Sequence, residues 1–159
     1  MMRFAAIVAI VVGFAQLGTA QIFDATKIVK WTSEVKAVSG TEYDLVFTAN
    51  IDKGWHLYSQ TVGKGGPVPT SISLKSGAKA SGKAKEESAF KKEALDPNFN
   101  MKVTQFENKV SFTQRVKGTA GADAKGEIEF MICNHERCLP PAQFPFSIKL
   151  KGADKPKKK

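Results

Sequence analysis

The sequence predicts an all-β chain folded as one antiparallel β-sandwich. Apolar side chains recur with period 2 over short stretches, the signature of one face of a pleated strand. Glycine and asparagine clusters (SGTE, DKG, GKGGP, SGK, DPN, GTAGA) separate those stretches, and no long helical pattern competes with them. With 159 residues, 42% of them apolar, the chain can bury a core in a single domain without crosslinks.

In EYDLVFTANI, residues Tyr43, Leu45, Phe47, Ala49 and Ile51 alternate with polar or smaller neighbours. Ile72 with Leu74, and Val110 with Phe112, mark weaker strands. The stretch KAKEESAFKKEAL, 83–95, has the charges of a helix, but Ala89, Phe90, Ala94 and Leu95 make only a thin stripe. It reads as an edge strand plus loop. In GEIEFMIC, alternation sends Ile128, Phe130 and Ile132 inward and puts Glu127, Glu129, Met131 and Cys133 on the opposite face. NHER is then a turn, and Pro140 and Pro141, which cannot donate to a ladder, mark an edge or an exit. Phe144, Phe146, Ile148 and Leu150 close the pattern. Strands at this spacing argue for a sandwich.

Residues 1–20 combine a basic start at Arg3, the apolar run FAAIVAIVVGFA and the ending GTA, which suits a signal-peptidase site. The run is about a dozen residues, short of the roughly 20 that span a bilayer as a helix. Export with cleavage after Ala20 is therefore expected rather than a retained anchor. The domain then occupies 21–150 in a compartment where disulfides persist. The net charge is +9, and KGADKPKKK, 151–159, sets five lysines against one aspartate. That end reads as a solvated, disordered tail, with contact to an acidic partner or anionic lipid as the alternative. The other lysines are dispersed without interleaved aromatics, which argues against nucleic-acid binding.

Both cysteines lie in FMICNHERCLPP, 130–141, with four residues between Cys133 and Cys138. Flanking a hairpin connection, they can face each other with Cα atoms about 4.5 to 5.5 Å apart, within disulfide geometry. As a staple, a loop of about six residues contributes about 2.2 kcal/mol in the chain-entropy model, against about 4.7 for a loop of about 100. The clip is a poor staple, and chemistry alone leaves structural and redox readings side by side. His135, when protonated, and Arg137 favour a thiolate, whereas Glu136 opposes it. The spacing is not the CxxC of a thioredoxin-type helix start, so any redox role works from a β scaffold. A third reading is a zinc or copper site built from Cys133, Cys138, His135 and His56. Only three of these are local, and their spacing matches no common zinc pattern.

Three stretches carry a resemblance to a known family. DKGWHLYSQ, 52–60, is similar to that family's glycine, aromatic pair and tyrosine near the active site. FNMKVTQFENKVSF, 99–112, looks like the segment that opens with a cap-loop phenylalanine. FMICNHERCLPP matches a cysteine pair closely followed by Pro-Pro and is the most specific of the three. From about Phe23 to Leu150, the chain resembles the N-terminal (alpha) periplasmic domain of the thiol:disulfide interchange protein DsbD family.

The resemblance implies an immunoglobulin-like sandwich, a periplasmic location and a protein thiol–disulfide oxidoreductase acting as an electron relay. Cys133 and Cys138 match the redox pair, with Cys138 the cysteine that joins a partner in a mixed disulfide. Phe99 matches the cap phenylalanine and Tyr58 an active-site tyrosine. His56 stands in the surround where the family has a second tyrosine. Thioredoxin-like periplasmic proteins are implied as electron donor and acceptor of a monomer, with no cofactor and no metal. The membrane electron conduit that follows this domain in the family is expected here as a separate protein. Pro97 and Asn98 replace acidic residues before the cap phenylalanine, and the cysteines stand one residue closer, so proton handling is expected to differ.

Plainer expectations stand beside these. Phe99 can be ordinary packing beside DPN, and Tyr58 and Trp55 core or edge aromatics. His56 titrates near neutral pH and can tune thiol protonation, although an exposed strand histidine is the commoner outcome. GKGGP is a flexible turn and no phosphate loop, since no GK[ST] follows. The competing functions are an immunoglobulin-type binding module with an inert disulfide and a periplasmic metal-handling protein.

Overall fold

A computed structural model describes residues 24–151. The expected leader, 1–20, and all of the expected tail but Lys151 lie outside the described residues. One helical turn, α1 (Ala25–Ile28), starts the described chain, capped by the Asp24 side chain accepting from the Thr26 amide. A capped turn of four residues is too short to leave a periodic signal, which is why the sequence pattern does not show it.

Strands make up most of the remaining described residues. The first sheet joins β1 (Val29–Ala37), β2 (Glu42–Ile51) and β9 (Lys109–Gly118), with β5 (Ala78–Ala80) and β6 (Lys85–Glu87) both paired to β9. The second orders β12 (Ala142–Lys149), β10 (Asp123–Phe130) and β4 (Ser71–Ser76). The third orders β11 (Ile132–Cys133), β3 (His56–Tyr58), β8 (Met101–Glu107) and β7 (Lys91–Asp96). All pairings are antiparallel. The charged stretch 83–95 contributes β6 and most of β7, both at sheet margins, in keeping with the edge-strand reading.

Alternation fixes the core. Tyr43, Leu45, Phe47, Ala49 and Ile51 of β2 are all buried, as are Val110, Phe112 and Val116 of β9. Facing them are Ile128 and Phe130 of β10, Phe146 and Ile148 of β12, and Leu57, Phe106 and Ile132 of the third sheet. Aromatic contacts cross between sheets: Phe47 meets Phe146 at 4.6 Å between ring centroids, Trp31 meets Phe130 at 5.5 Å, and Phe106 meets Phe112 at 6.1 Å. Gly126 lets β4 and β12 close on β10, because a side chain there would collide with the Ser73 carbonyl and the Phe146 ring. The outcome is the expected antiparallel sandwich, with one core shared by all three sheets.

Because Phe47 is fully buried at the contact between layers, Phe47→Ala should cost about 3–5 kcal/mol of stability. Urea unfolding reads this as a lowered midpoint at unchanged slope. A loss under about 1 kcal/mol would contradict the packing described.

Candidate functional site

Only Met131 separates β10 from β11, and there the chain passes from the second sheet to the third. Ile132 continues the inward series into the main core. Cys133, one residue on, faces the other way, into a second cluster with Tyr58 and Val103. Pairing of β11 with β3 sets Cys133 opposite His56, and Tyr58 lies two residues along the same strand face. Pairing of β3 with β8 adds Glu107 and Gln105 to that face. The outer face of the third sheet thus collects the polar and sulfur chemistry, while Leu57, Phe106 and Ile132 anchor its inner face.

The cysteines form a disulfide with Cα atoms 4.0 Å apart. Asn134 donates to the Arg137 carbonyl at 2.9 Å and Leu139 to the Ile132 carbonyl at 3.0 Å. Cys133 and Cys138 therefore occupy the non-hydrogen-bonded position between these bonds, where opposed Cα atoms approach most closely. The expected NHER turn is present. The Asn134 side chain holds it by accepting from the amides of Glu136 at 2.9 Å and Arg137 at 2.8 Å. Cys133 is fully buried, and Cys138 is half-buried.

Phe99 sits in the turn 97–100 between β7 and β8. Half-buried, it packs against the Cys133 cluster and meets the Tyr58 ring edge-on at 6.2 Å. The Asn98 amide side chain donates to the Asn134 carbonyl at 3.1 Å, which ties this turn to the cysteine hairpin. Val62, Met101 and Met131 complete the apolar surround. GKGGP is a turn, as expected, but it also walls the site: a side chain at Gly66 would meet Val62 at 2.6 Å and the Met101 sulfur at 2.7 Å.

The structure brings Cys133, Cys138, Phe99, Tyr58 and His56 together, with one correction and one omission. His56 is buried at 6% exposure, not the exposed strand histidine held to be the commoner outcome. The sheet face it occupies is covered by the turn carrying Phe99, which alternation alone does not reveal. The omission is Asp96, 1% exposed. Its Oδ2 accepts from the Tyr58 hydroxyl at 2.6 Å and lies 3.3 Å from His56 Nε2, and that nitrogen is 3.1 Å from Tyr58 Oη. Asp96 stood in the sequence as the first residue of DPN, where it read as turn punctuation. Its signal was an acid at the end of a strand, three residues before Phe99. Trp55 packs on the main core, and His135 is exposed. Among the described residues, no three His, Cys, Asp or Glu side chains are grouped to hold a metal.

Burial lowers the His56 pKa, and the adjacent Asp96 carboxylate offsets this only in part. Burial, reinforced by the bond to Asp96, raises the Tyr58 phenol far above its ordinary range. Burial would also raise the Asp96 carboxyl. Hydrogen bonds from the Tyr58 hydroxyl and the Asn98 amide, with His56 beside it, outweigh that and hold it below its usual value. The site therefore contains a neutral imidazole, a neutral phenol and a carboxylate at neutral pH.

A disulfide with one buried and one half-buried cysteine, packed beside Phe99 on the outer face of a β-sandwich sheet, describes a disulfide-bearing β domain built without a thioredoxin-type helix. The family model described as "Thiol:disulfide interchange protein DsbD, N-terminal" matches residues 25–148, and the chain belongs to that family. The immunoglobulin-like sandwich and the cysteine pair at bonding distance fit the family's thiol–disulfide exchange. Among solved structures, the N-terminal periplasmic domain of ScsB from Proteus mirabilis is 13% identical with a TM-score of 0.63. That match covers 80% of this chain and 49% of the other, so the chain spans about half the length of that relative. The reduced N-terminal domain of Neisseria meningitidis DsbD is 17% identical with a TM-score of 0.45, over 82% of this chain and 92% of that one. No curated protein sequence matches. Among the described residues, no helix is long and apolar enough to cross a membrane.

The direction of these shifts sets a pH dependence. With its folded pKa below 6.5, His56 takes up a proton more readily in the unfolded chain, so stability declines as pH falls below about 6.5. Asp96 contributes stability that is complete above its ordinary value of 3.8 and is lost as pH falls through its depressed folded pKa. The oxidised protein should therefore melt at progressively lower temperature from pH 7 to pH 5. His56→Gln should flatten that decline, and an equally steep decline in the variant would remove His56 as its source.

Proposed function

We propose that Cys133 and Cys138 form a working redox pair that relays reducing equivalents between thioredoxin-like periplasmic proteins. The observation that carries this reading is the unequal burial of the two cysteines under Phe99: Cys133 is sealed and Cys138 is half-buried in an outward hairpin.

A donor thiolate attacks the Cys138 sulfur, the bond to Cys133 breaks, and Cys133 leaves as a thiolate that takes up a proton. The donor's second thiolate then attacks the donor sulfur of the mixed disulfide, and Cys138 leaves as a thiolate that also takes up a proton. The donor ends as a disulfide, and this chain holds two thiols and the two electrons. Transfer to an acceptor disulfide reverses these steps, and sulfur exchange needs no metal or organic cofactor. Phe99 covers the pair between encounters, which limits stray oxidation.

In this reading, residues 1–20 direct export and are removed after Ala20, and the domain acts as a monomer in the periplasm. The family's thiol–disulfide chemistry supports the partner class, and the short clip supports a reversible bond.

Two measurements test the relay. The reduction potential of the purified protein should lie above about −300 mV, since a lower value marks a bond resistant to reduction and would make the disulfide structural. In the periplasm, Cys133→Ser should accumulate a mixed disulfide through Cys138. Adducts on Cys138→Ser in its place would reverse the roles of the two sulfurs.

A further inference from the structure

Asp96 inverts the pattern of its strand. It is the sole buried residue of β7, while its neighbour Leu95 is 62% exposed. An edge strand that exposes its leucine and buries its acid contradicts ordinary burial preferences, and such local contradictions mark functional or strained sites. A buried carboxylate is tolerated only with partners. Those of Asp96 divide between two parts of the site. Oδ1 accepts from the Asn98 amide at 2.8 Å, inside the turn that carries Phe99. Oδ2 accepts from the Tyr58 hydroxyl at 2.6 Å and faces His56 Nε2 at 3.3 Å, on the strand opposite Cys133.

We propose that Asp96 is a positioning residue for thiol exchange: its carboxylate latches the Phe99 turn onto the Tyr58 and His56 floor beneath the cysteines. The proposal rests on the exchange reading above. Two routes run from this one carboxylate to Phe99, one along the turn backbone and one through Tyr58, whose ring meets Phe99 edge-on. Apart from the packing of Phe99 itself, the turn is loosely held: Pro97, Asn98 and Asn100 are exposed, and its bond to the cysteine hairpin is the exposed contact of Asn98 with the Asn134 carbonyl. Lifting Phe99 together with its turn to admit a partner therefore works against the bonds of Asp96. The residue sets how often the sulfurs are reachable without touching them.

A turn-forming aspartate would explain the Oδ1 bond alone, so the test addresses Oδ2. Asp96→Asn retains an oxygen for the Asn98 amide but loses the carboxylate facing Tyr58, and Tyr58→Phe removes the same bond from the other side while leaving the ring on Phe99. The readout is iodoacetamide alkylation of the chemically reduced full chain across pH, taken on the plateau where both thiols are ionised, so that the rate reports access rather than thiolate fraction. Each variant should raise the plateau rate about tenfold, the factor expected for one charged hydrogen bond. The double variant should be no faster than either single one, because both remove one interaction. Plateau rates less than about threefold above wild type, or single effects that multiply in the double variant, would overturn the latch. If Asp96→Asn fails to fold, Tyr58→Phe alone decides by the same threshold. The reduction potential of the wild-type pair tests the exchange reading independently, so either can fail without the other.

Discussion

Alternation across a strand is the constraint on which the site depends. Successive residues of β11 point to opposite faces, so the residue that completes the core and the residue that carries the chemistry must be neighbours. Ile132 is held by the main core with Leu57 and Phe106. Once it is fixed, Cys133 has only the outer face to occupy. The same parity on β3 makes Leu57 a core residue between His56 and Tyr58, and that burial commits both polar neighbours to the cysteine's side. A one-residue slip of β11 against β3 would place a sulfur in the core and an isoleucine under the cap. The hydrophobic core thus specifies the register of the reactive groups without contacting them.

The covering of that outer face decides its electrostatics. An exposed sheet face would leave His56, Tyr58 and Asp96 solvated and close to their ordinary ionisation. Phe99, Val62 and Met101 exclude water from it, and the three polar groups then satisfy one another. In such surroundings a hydrogen bond is stronger and an unmet polar atom costs more, so the trio acts as a unit. The single negative charge settles on Asp96, which receives the most donors, and the imidazole and phenol stay neutral.

Much of this was legible in the chain itself. The alternation from Tyr43 to Ile51, and from Ile128 to Ile132, identified both the core residues and the face of Cys133. The spacing of NHER predicted a hairpin that brings the cysteines together. Burial of His56 was not legible, because period 2 tells which face a residue takes but not whether another segment folds over that face. Asp96 was hidden for the same reason. Its partners Tyr58 and His56 lie 38 and 40 residues earlier, and only the path of the turn 97–100 brings them within bonding distance. The stretch 83–95 was readable as strand despite its charges, since edge strands favour lysines that discourage pairing with other chains.

The site also occupies a sheet margin. β11 is the edge strand beside β3, and Cys138 lies beyond it, joined through an isolated bridge to Cys133. A disulfide between central strands would be flanked on both sides by backbone ladders, leaving an attacking thiolate no line along the sulfur–sulfur bond. At the edge, the order outward from the sheet runs His56, Cys133, Cys138, so the outermost sulfur is the one with an open approach. Pro140 and Pro141 come directly after Leu139 and cannot donate backbone hydrogen bonds, which keeps the departing chain from extending this edge as another ladder strand. The side chain packed over this cluster is that of Phe99, which belongs to one short turn rather than to the sheet.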